Sequence, residues 1–403
     1  MTAGDYLWTG NVNSDWETSG NWNIILRGAA DWPTALDTAE IPGATYNLNI
    51  NLAHNMTVAS LKTIATNPNM ALNLGNNSLT VTNDITANGY LKINSSGAAT
   101  LGMTNLYIGT SGADDSRVEL QNVGTVNISG NVNISNIVAS TKEGSLKISG
   151  FSTVSIGGDV NAGYNGFGGP ALGTITVENF VLVNSSGNTT VNLGFILIQG
   201  GSDWSFGKDV SIKGGILGVY DGGNIWLNAG KSVILDGQAH LEGDGTIHGD
   251  VLVDTGATGL VEGNRTTFDH LYVTGNFGGT HPFKYTVYSD GSLDPSGAMS
   301  STTLVVGGTL DITGQNFADV FELHLDMPGT WNGGDIPLMV VHNINGTFGD
   351  CAWGATPPGT LPTLAVGLHW ELQLNNAAID DADPAGVTYS GSGDYVIELV
   401  AVP

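Results

Sequence analysis

The sequence predicts an all-β chain wound as a right-handed parallel β-helix, and three observations carry that expectation. Apolar and polar residues alternate in short runs, the runs end at Gly, Asn or Asp, and one phrase returns at near-regular intervals. Of 403 residues 59 are Gly and 41% are apolar, while only 12% are charged. About a quarter charged is usual for soluble domains. Disorder driven by charge is therefore excluded, and there is enough apolar material for a core.

Taken in order, residues 1–44 form an N-terminal cap. They hold Trp8, Trp16, Trp22 and Trp32, four of the nine tryptophans. A solenoid leaves the edge and core of its last coil open, and bulky side chains are expected to cover it. Residues 45–300 form the parallel β-helix. Its strands are exemplified by Tyr46–Leu52, Ser78–Thr82, Thr125–Ser129 and Ser145–Ser149, each alternating with period two.

The recurring phrase reads apolar, any residue, small or polar, Asn or Asp, apolar. It occurs as Val81 to Ile85, Ile128 to Val132, Ile156 to Val160, Phe206 to Val210, Ile247 to Val251 and Val273 to Phe277. Its starts lie 47, 28, 50, 41 and 26 residues apart, one or two units of a β-helix coil. Gly and Asn at the corners supply the backbone angles that sharp bends demand. Roughly a dozen coils at about 4.8 Å each give an expected rod on the order of 60 Å. Tyr164–Pro170 reads as a loop leaving the stack. Residues 301–403, with longer strands at Val320–Leu325 and Pro337–His342, form a C-terminal β cap or small β-sandwich.

The Trp-x-Gly, Asp-Trp and Asn-Trp opening, the Ser78-to-Ile85 phrasing, Ile344–Phe348, Leu361-Pro362 and Gly367–Trp370 carry a resemblance. The chain resembles autotransporter passenger domains and the PEP-CTERM-type secreted β-helical surface proteins of bacteria. That resemblance implies an extracellular or cell-surface location. It departs from both groups in two respects: no translocating β-barrel follows, and the chain stops at Val402-Pro403 without a hydrophobic tail. Met1–Asp5 reads as an initiator placed before a mature sequence, and the presence of a native leader and sorting tail is left open.

Composition narrows the partners. With 11 Lys+Arg against 37 Asp+Glu the formal net charge is −26. Phosphate recognition needs clustered cations, so neither nucleic acid as a partner nor direct membrane insertion is expected. Cys351 is the sole cysteine and forms no internal disulfide. Its role stays open.

The sharp catalytic and nucleotide-binding motifs are absent. The densest constellation is His240, Glu242, Asp244, His248 and Asp250, followed one coil later by Glu262, Asp269 and His270. His248 to His270 is 22 residues and Glu242 to Glu262 is 20, so stacked coils would place them in ladders on one outer face. Such a ladder would suit a divalent ion or acid–base work. Solvated residues between glycine turns are the preferred reading.

Acidic corners at Asp114-Asp115, Asp221–Asn224 and Asp380–Asp383 make Ca²⁺ the candidate structural ion, with solvated turns preferred. Trp204, Trp226 and Tyr220 would share a sugar-stacking face, although packing is the favoured role. Arg117 and Arg265 lack the acidic company of a polysaccharide lyase base. Sequons at Asn55, Asn94, Asn188 and Asn264 are expected by chance in so Asn- and Thr-rich a chain.

No catalytic or cofactor-binding residue is assigned, and the metal site is left open. The expected function is a non-enzymatic structural or adhesive protein that self-associates into a filament, sheath or surface layer. A carbohydrate-binding or polysaccharide-degrading β-helix is the alternative, with cell-surface glycans as partners.

Overall fold

The computed structural model describes residues 3–26, 30–42, 49–64, 71–109, 115–135, 143–163, 171–254, 259–264, 270–279, 281–289, 301–325, 335–359, 361, 364–376 and 395–403. The Tyr164–Pro170 loop and residues 46–48 of the Tyr46–Leu52 strand lie outside these residues. The chain is a parallel β-solenoid of about nine turns. Its contacts divide it into two units, residues 1–208 and 209–403. Coils differ in length: Asn49 and Ala71 lie 22 residues apart in register, Glu242 and Glu262 20, and Lys92, Glu119 and Lys147, on three successive coils, 27 and 28.

In the first unit one coil consists of Ser116–Gln121, Thr125–Ile128 and Val132–Ile134, and the next of Gly144–Ser149, Thr153–Ile156 and Val160–Ala162. Alternation turns every second side chain inward, and parallel register stacks like on like. Val118, Leu146, Ile175 and Ile196 form one buried column, and Val126, Val154, Val183 and Trp204 another. β-Branched residues predominate because they fit a pleated, tightly stacked surface. Where Trp204 needs room, the neighbouring inward position is Ser185, whose hydroxyl accepts the indole N–H at 3.1 Å.

The recurring phrase turns out to be a hydrogen-bonding device. Its two apolar residues close one strand and open the next, and the Asn or Asp between them sits at the corner. There the side-chain oxygen accepts the backbone N–H of its counterpart one coil on. The series runs from Asn105 to Asn131, Asn131 to Asp159 and Asp159 to Asn188, each 2.8 Å. The second unit repeats it from Asp250 to Asn276 at 2.7 Å and from Asn276 to Thr309 at 2.9 Å. A corner interrupts the strand ladder, and these side chains satisfy the donors it would orphan.

At the N-terminal end, Asp5–Trp8 pairs in parallel with Thr38–Ile41 and antiparallel with Trp22–Leu26. Trp22 meets Trp8 and Trp16 edge-on at 5.1 and 4.8 Å and donates its indole N–H to the Trp16 carbonyl at 2.7 Å. Trp32 is only half-buried. Buried Asn21 accepts from the Val12 and Asn13 N–H groups and donates to the Asn13 side chain and the Asp15 carbonyl, so its amide is fully used.

In the second unit the coil Ile216–Val219, Asn224–Leu227 and Ser232–Leu235 is followed by His240–Gly243, Thr246–His248 and Asp250–Val253. Parallel pairing continues from Leu304–Asp311 to Ile336–Asn345. Tyr395–Val402 then adds antiparallel to Ile336–Asn345, and His369–Asn376 antiparallel to Tyr395–Val402. Phe317, Phe321 and Phe348 cluster with ring centroids 4.9 to 5.8 Å apart. Asp350 caps the single helical turn Phe317–Val320 by accepting the Phe317 and Ala318 N–H groups at 2.5 and 3.2 Å. Cys351 beside it is buried, and burial together with Asp350 pushes its thiol pKa up, so it behaves as a small packed side chain.

Candidate functional site

The outer face of three strands in the second unit, His240–Gly243, Gly259–Gly263 and Phe283–Ser289, carries the one cluster of three potential metal ligands among the described residues. Parallel register places Glu242 directly beside Glu262, as the 20-residue spacing predicts. His240, two residues before Glu242, lies on the same face because alternation returns every second side chain to one side. Its Nε2 stands 3.7 Å from Glu262 Oε1 and 3.9 Å from Glu242 Oε2. Both distances exceed a hydrogen bond. Nε2 is buried and has no hydrogen-bond partner among the described residues.

The surrounding side chains hold the two carboxylates. Tyr288 donates its hydroxyl to Glu262 Oε1 at 3.3 Å. Burial works to raise the Glu262 carboxyl, but the His240 ring and the Tyr288 hydroxyl outweigh it and keep it below the ordinary carboxylate range. Burial pushes the Tyr220 hydroxyl well up, and the neighbouring Glu242 carboxylate adds to that. Asp244 is engaged elsewhere: it accepts the Asp221 N–H at 2.7 Å and the Asn264 amide at 2.8 Å. Further along the face Lys284 pairs with Glu322, which His324 also approaches at 3.2 Å. Lys284 holds the Glu322 carboxyl below its usual range.

The other expected members of this cluster fall elsewhere. His248 does not stack over His270. It belongs to the strand Thr246–His248 in the other sheet, where it pairs in register with Trp226 and lies flat on its ring at 3.5 Å. The 22-residue interval fails because Thr246 and Ile247 align with Tyr272 and Val273, a register interval of 26 residues that misses His270 by four. His270 sits edge-on to Tyr272 at 6.2 Å. Asp250 is spent in the corner ladder, and Asp269 lies outside the described residues.

The aromatic trio also separates. Trp204 is buried in the first unit's core and is unavailable to a sugar; Trp226 is 44% exposed, and Tyr220 lies beside Glu242. Among the acidic corners, Asp115 accepts the Glu143 N–H at 3.1 Å, and Asn224 closes its own turn onto the Gly222 carbonyl. Asp114 and Asp380–Asp383 lie outside the described residues. Among the described residues His240, Glu242 and Glu262 are the one group of three potential metal ligands within 4.8 Å of one another. The sequons at Asn55, Asn188 and Asn264 serve hydrogen bonds between coils.

Tyr288, Lys284 and Asn264 escaped sequence reasoning. The signal was there for the first two, since Lys284, Thr286 and Tyr288 alternate with apolar Phe283, Tyr285 and Val287. The register that carries them to the next strand over was not visible.

One carboxylate oxygen of Glu242 and one of Glu262 lie within 4.8 Å of each other. Compared with known protein families, curated proteins and solved structures, the chain finds no match.

Proposed function

We propose that the protein is a non-enzymatic structural or adhesive component of the cell exterior that associates with copies of itself into a filament, sheath or surface layer. One observation carries this reading. The strand Trp22–Leu26 pairs, among the described residues, with Asp5–Trp8 alone, and it exposes Ile25 and Leu26 at 62% and 54%. An edge strand with unpaired N–H and C=O groups and apolar side chains is a template for a further strand. The outer faces elsewhere support a structural role: Asn51, Asn73 and Asn94 form an amide ladder, and Asn133 and Asn161 another. The surface location, and kinship with autotransporter passengers or PEP-CTERM-type proteins, belong to the same proposal.

Electron microscopy of the purified protein, with calcium titrated from none to millimolar, tests it. Regular polymers are expected, and Ile25→Lys with Leu26→Lys should abolish them while leaving the thermal midpoint unchanged. Strict monomers at high protein concentration under every condition would overturn the proposal.

The exposed Trp226 ring stacked on His248 favours a second reading, carbohydrate binding, because a flat aromatic surface suits a sugar face. Glycan binding lost in Trp226→Ala, without polymers, would decide for it.

A further inference from the structure

We propose that His240, Glu242 and Glu262 bind a first-row transition cation of the Zn²⁺ class. The inference is independent of the self-association reading and rests on four features of this face.

The first is placement. Two positions of one strand and one position of its in-register neighbour direct a nitrogen and two oxygens to a common point, all within 4.8 Å. Ligands about 2.0–2.2 Å from a tetrahedral zinc lie roughly 3.3 Å from one another. His240 Nε2 is 3.7 and 3.9 Å from the two carboxylates, and one oxygen of each carboxylate lies within 4.8 Å of the other, so closure needs side-chain movements of up to about 1.5 Å.

The second is the orphaned nitrogen. Nε2 of His240 is buried and lacks a hydrogen-bond partner although carboxylates stand on two sides. Leaving a buried polar atom unpaired costs about 1–3 kcal/mol. Protonation would supply a donor but at distances too long for good hydrogen bonds, whereas a metal between the three groups satisfies the nitrogen lone pair and both oxygens.

The third is charge balance. In the first unit an in-register carboxylate is flanked by cations: Glu119 lies between Lys92 and Lys147 in register, and Lys147 also pairs with Glu178 at 2.8 Å. Glu242 and Glu262 stand side by side with no Lys or Arg paired to them among the described residues, since Lys284 is taken by Glu322. Like charges directly opposite on neighbouring strands are destabilising. A divalent ion reverses that sign at this one place.

The fourth is the outer support. Tyr288 holds Glu262 through its hydroxyl, the kind of second contact that orients metal-binding carboxylates. One imidazole with two carboxylates suits Zn²⁺ and its transition neighbours, whereas Ca²⁺ takes six to eight oxygens and no nitrogen. Three protein ligands leave a coordination position for water or for an incoming donor group.

The test is titration calorimetry of the untagged, chelator-treated full chain with ZnCl₂ alone and, separately, with CaCl₂ alone. Expected are one saturable Zn²⁺ per chain, a rise in thermal midpoint on adding zinc, and no comparable calcium isotherm. His240→Ala and Glu262→Gln should each weaken zinc binding by about tenfold or more, the least that loss of even an outer contact brings. Glu322→Gln, on the same face but outside the cluster, should bind as the parent does. Both cluster variants are checked for parental far-UV circular dichroism, and Glu242→Gln, which preserves shape, replaces either that fails to fold. Absence of one-to-one zinc binding, undiminished binding in His240→Ala, or calcium binding as tight as zinc would each overturn the proposal.

Discussion

At single positions the solenoid is governed by how closely one coil lies on the next. Gly163 and Gly75 both have positive φ, +74° and +60°. A methyl group at Gly75 meets nothing, while at Gly163 it would run into the Leu193 backbone carbonyl of the following coil. Gly75→Ala should therefore cost only the conformational term, about 1–2 kcal/mol. Gly163→Ala should cost more than about 4 kcal/mol, because backbone must move. Urea unfolding of the two variants measures the difference, and equal losses would contradict the close-contact account. The same scale explains what a reader of the sequence could and could not see. The Asn or Asp of the recurring phrase is plain at Asn131, Asp159 and Asp250, yet its donor is a backbone N–H some 26 to 29 residues away, and nothing local announces it.

Strands and sheets were the most legible level. Period-two alternation marks Thr125–Ile128 and Gly144–Ser149 almost to the residue, because inward and outward positions differ so sharply in polarity. Register was legible only where the spacing equals a coil: Glu242 with Glu262 succeeded, and His248 with His270 failed because the two sheets of a coil keep different phases.

The C-terminal antiparallel strands carry a pH dependence of their own. Burial raises the Glu398 carboxyl, the Asn375 amide opposes this, and Asp335 raises it further; burial raises Asp335 as well. A carboxyl raised in the folded state contributes stability that is complete below its unfolded pKa and is lost as pH climbs through the folded one. Glu398→Gln, which keeps an oxygen for the Asn375 amide, should raise the thermal midpoint near pH 7. The gain should shrink as pH falls through about 4, and a gain independent of pH would remove Glu398 as its source.

Across the whole chain, the formal charge of −26 sets the terms on which copies can meet. Like-charged surfaces approach more readily as salt shortens the Debye length from about 10 Å at 0.1 M to about 3 Å at 1 M. If copies do join at the apolar Trp22–Leu26 edge, assembly should accordingly strengthen with ionic strength. The acidic excess was visible at once, whereas the gathering of two carboxylates around His240 emerges only from the pairing of strands.

One-to-one stacking also makes the molecule modular in length. Gly144 and Gly173 occupy equivalent positions on consecutive coils, so residues 144–172 are one complete winding. Excising them would bring Val118 and Leu120 over Ile175 and Val177, apolar on apolar, and the shortened chain should still unfold in a single cooperative transition. Deleting Ser155 alone should do far greater harm, since everything after it in the strand changes sides. Genes for such chains can thus grow or shrink by whole windings, with the interior unaware of the edit.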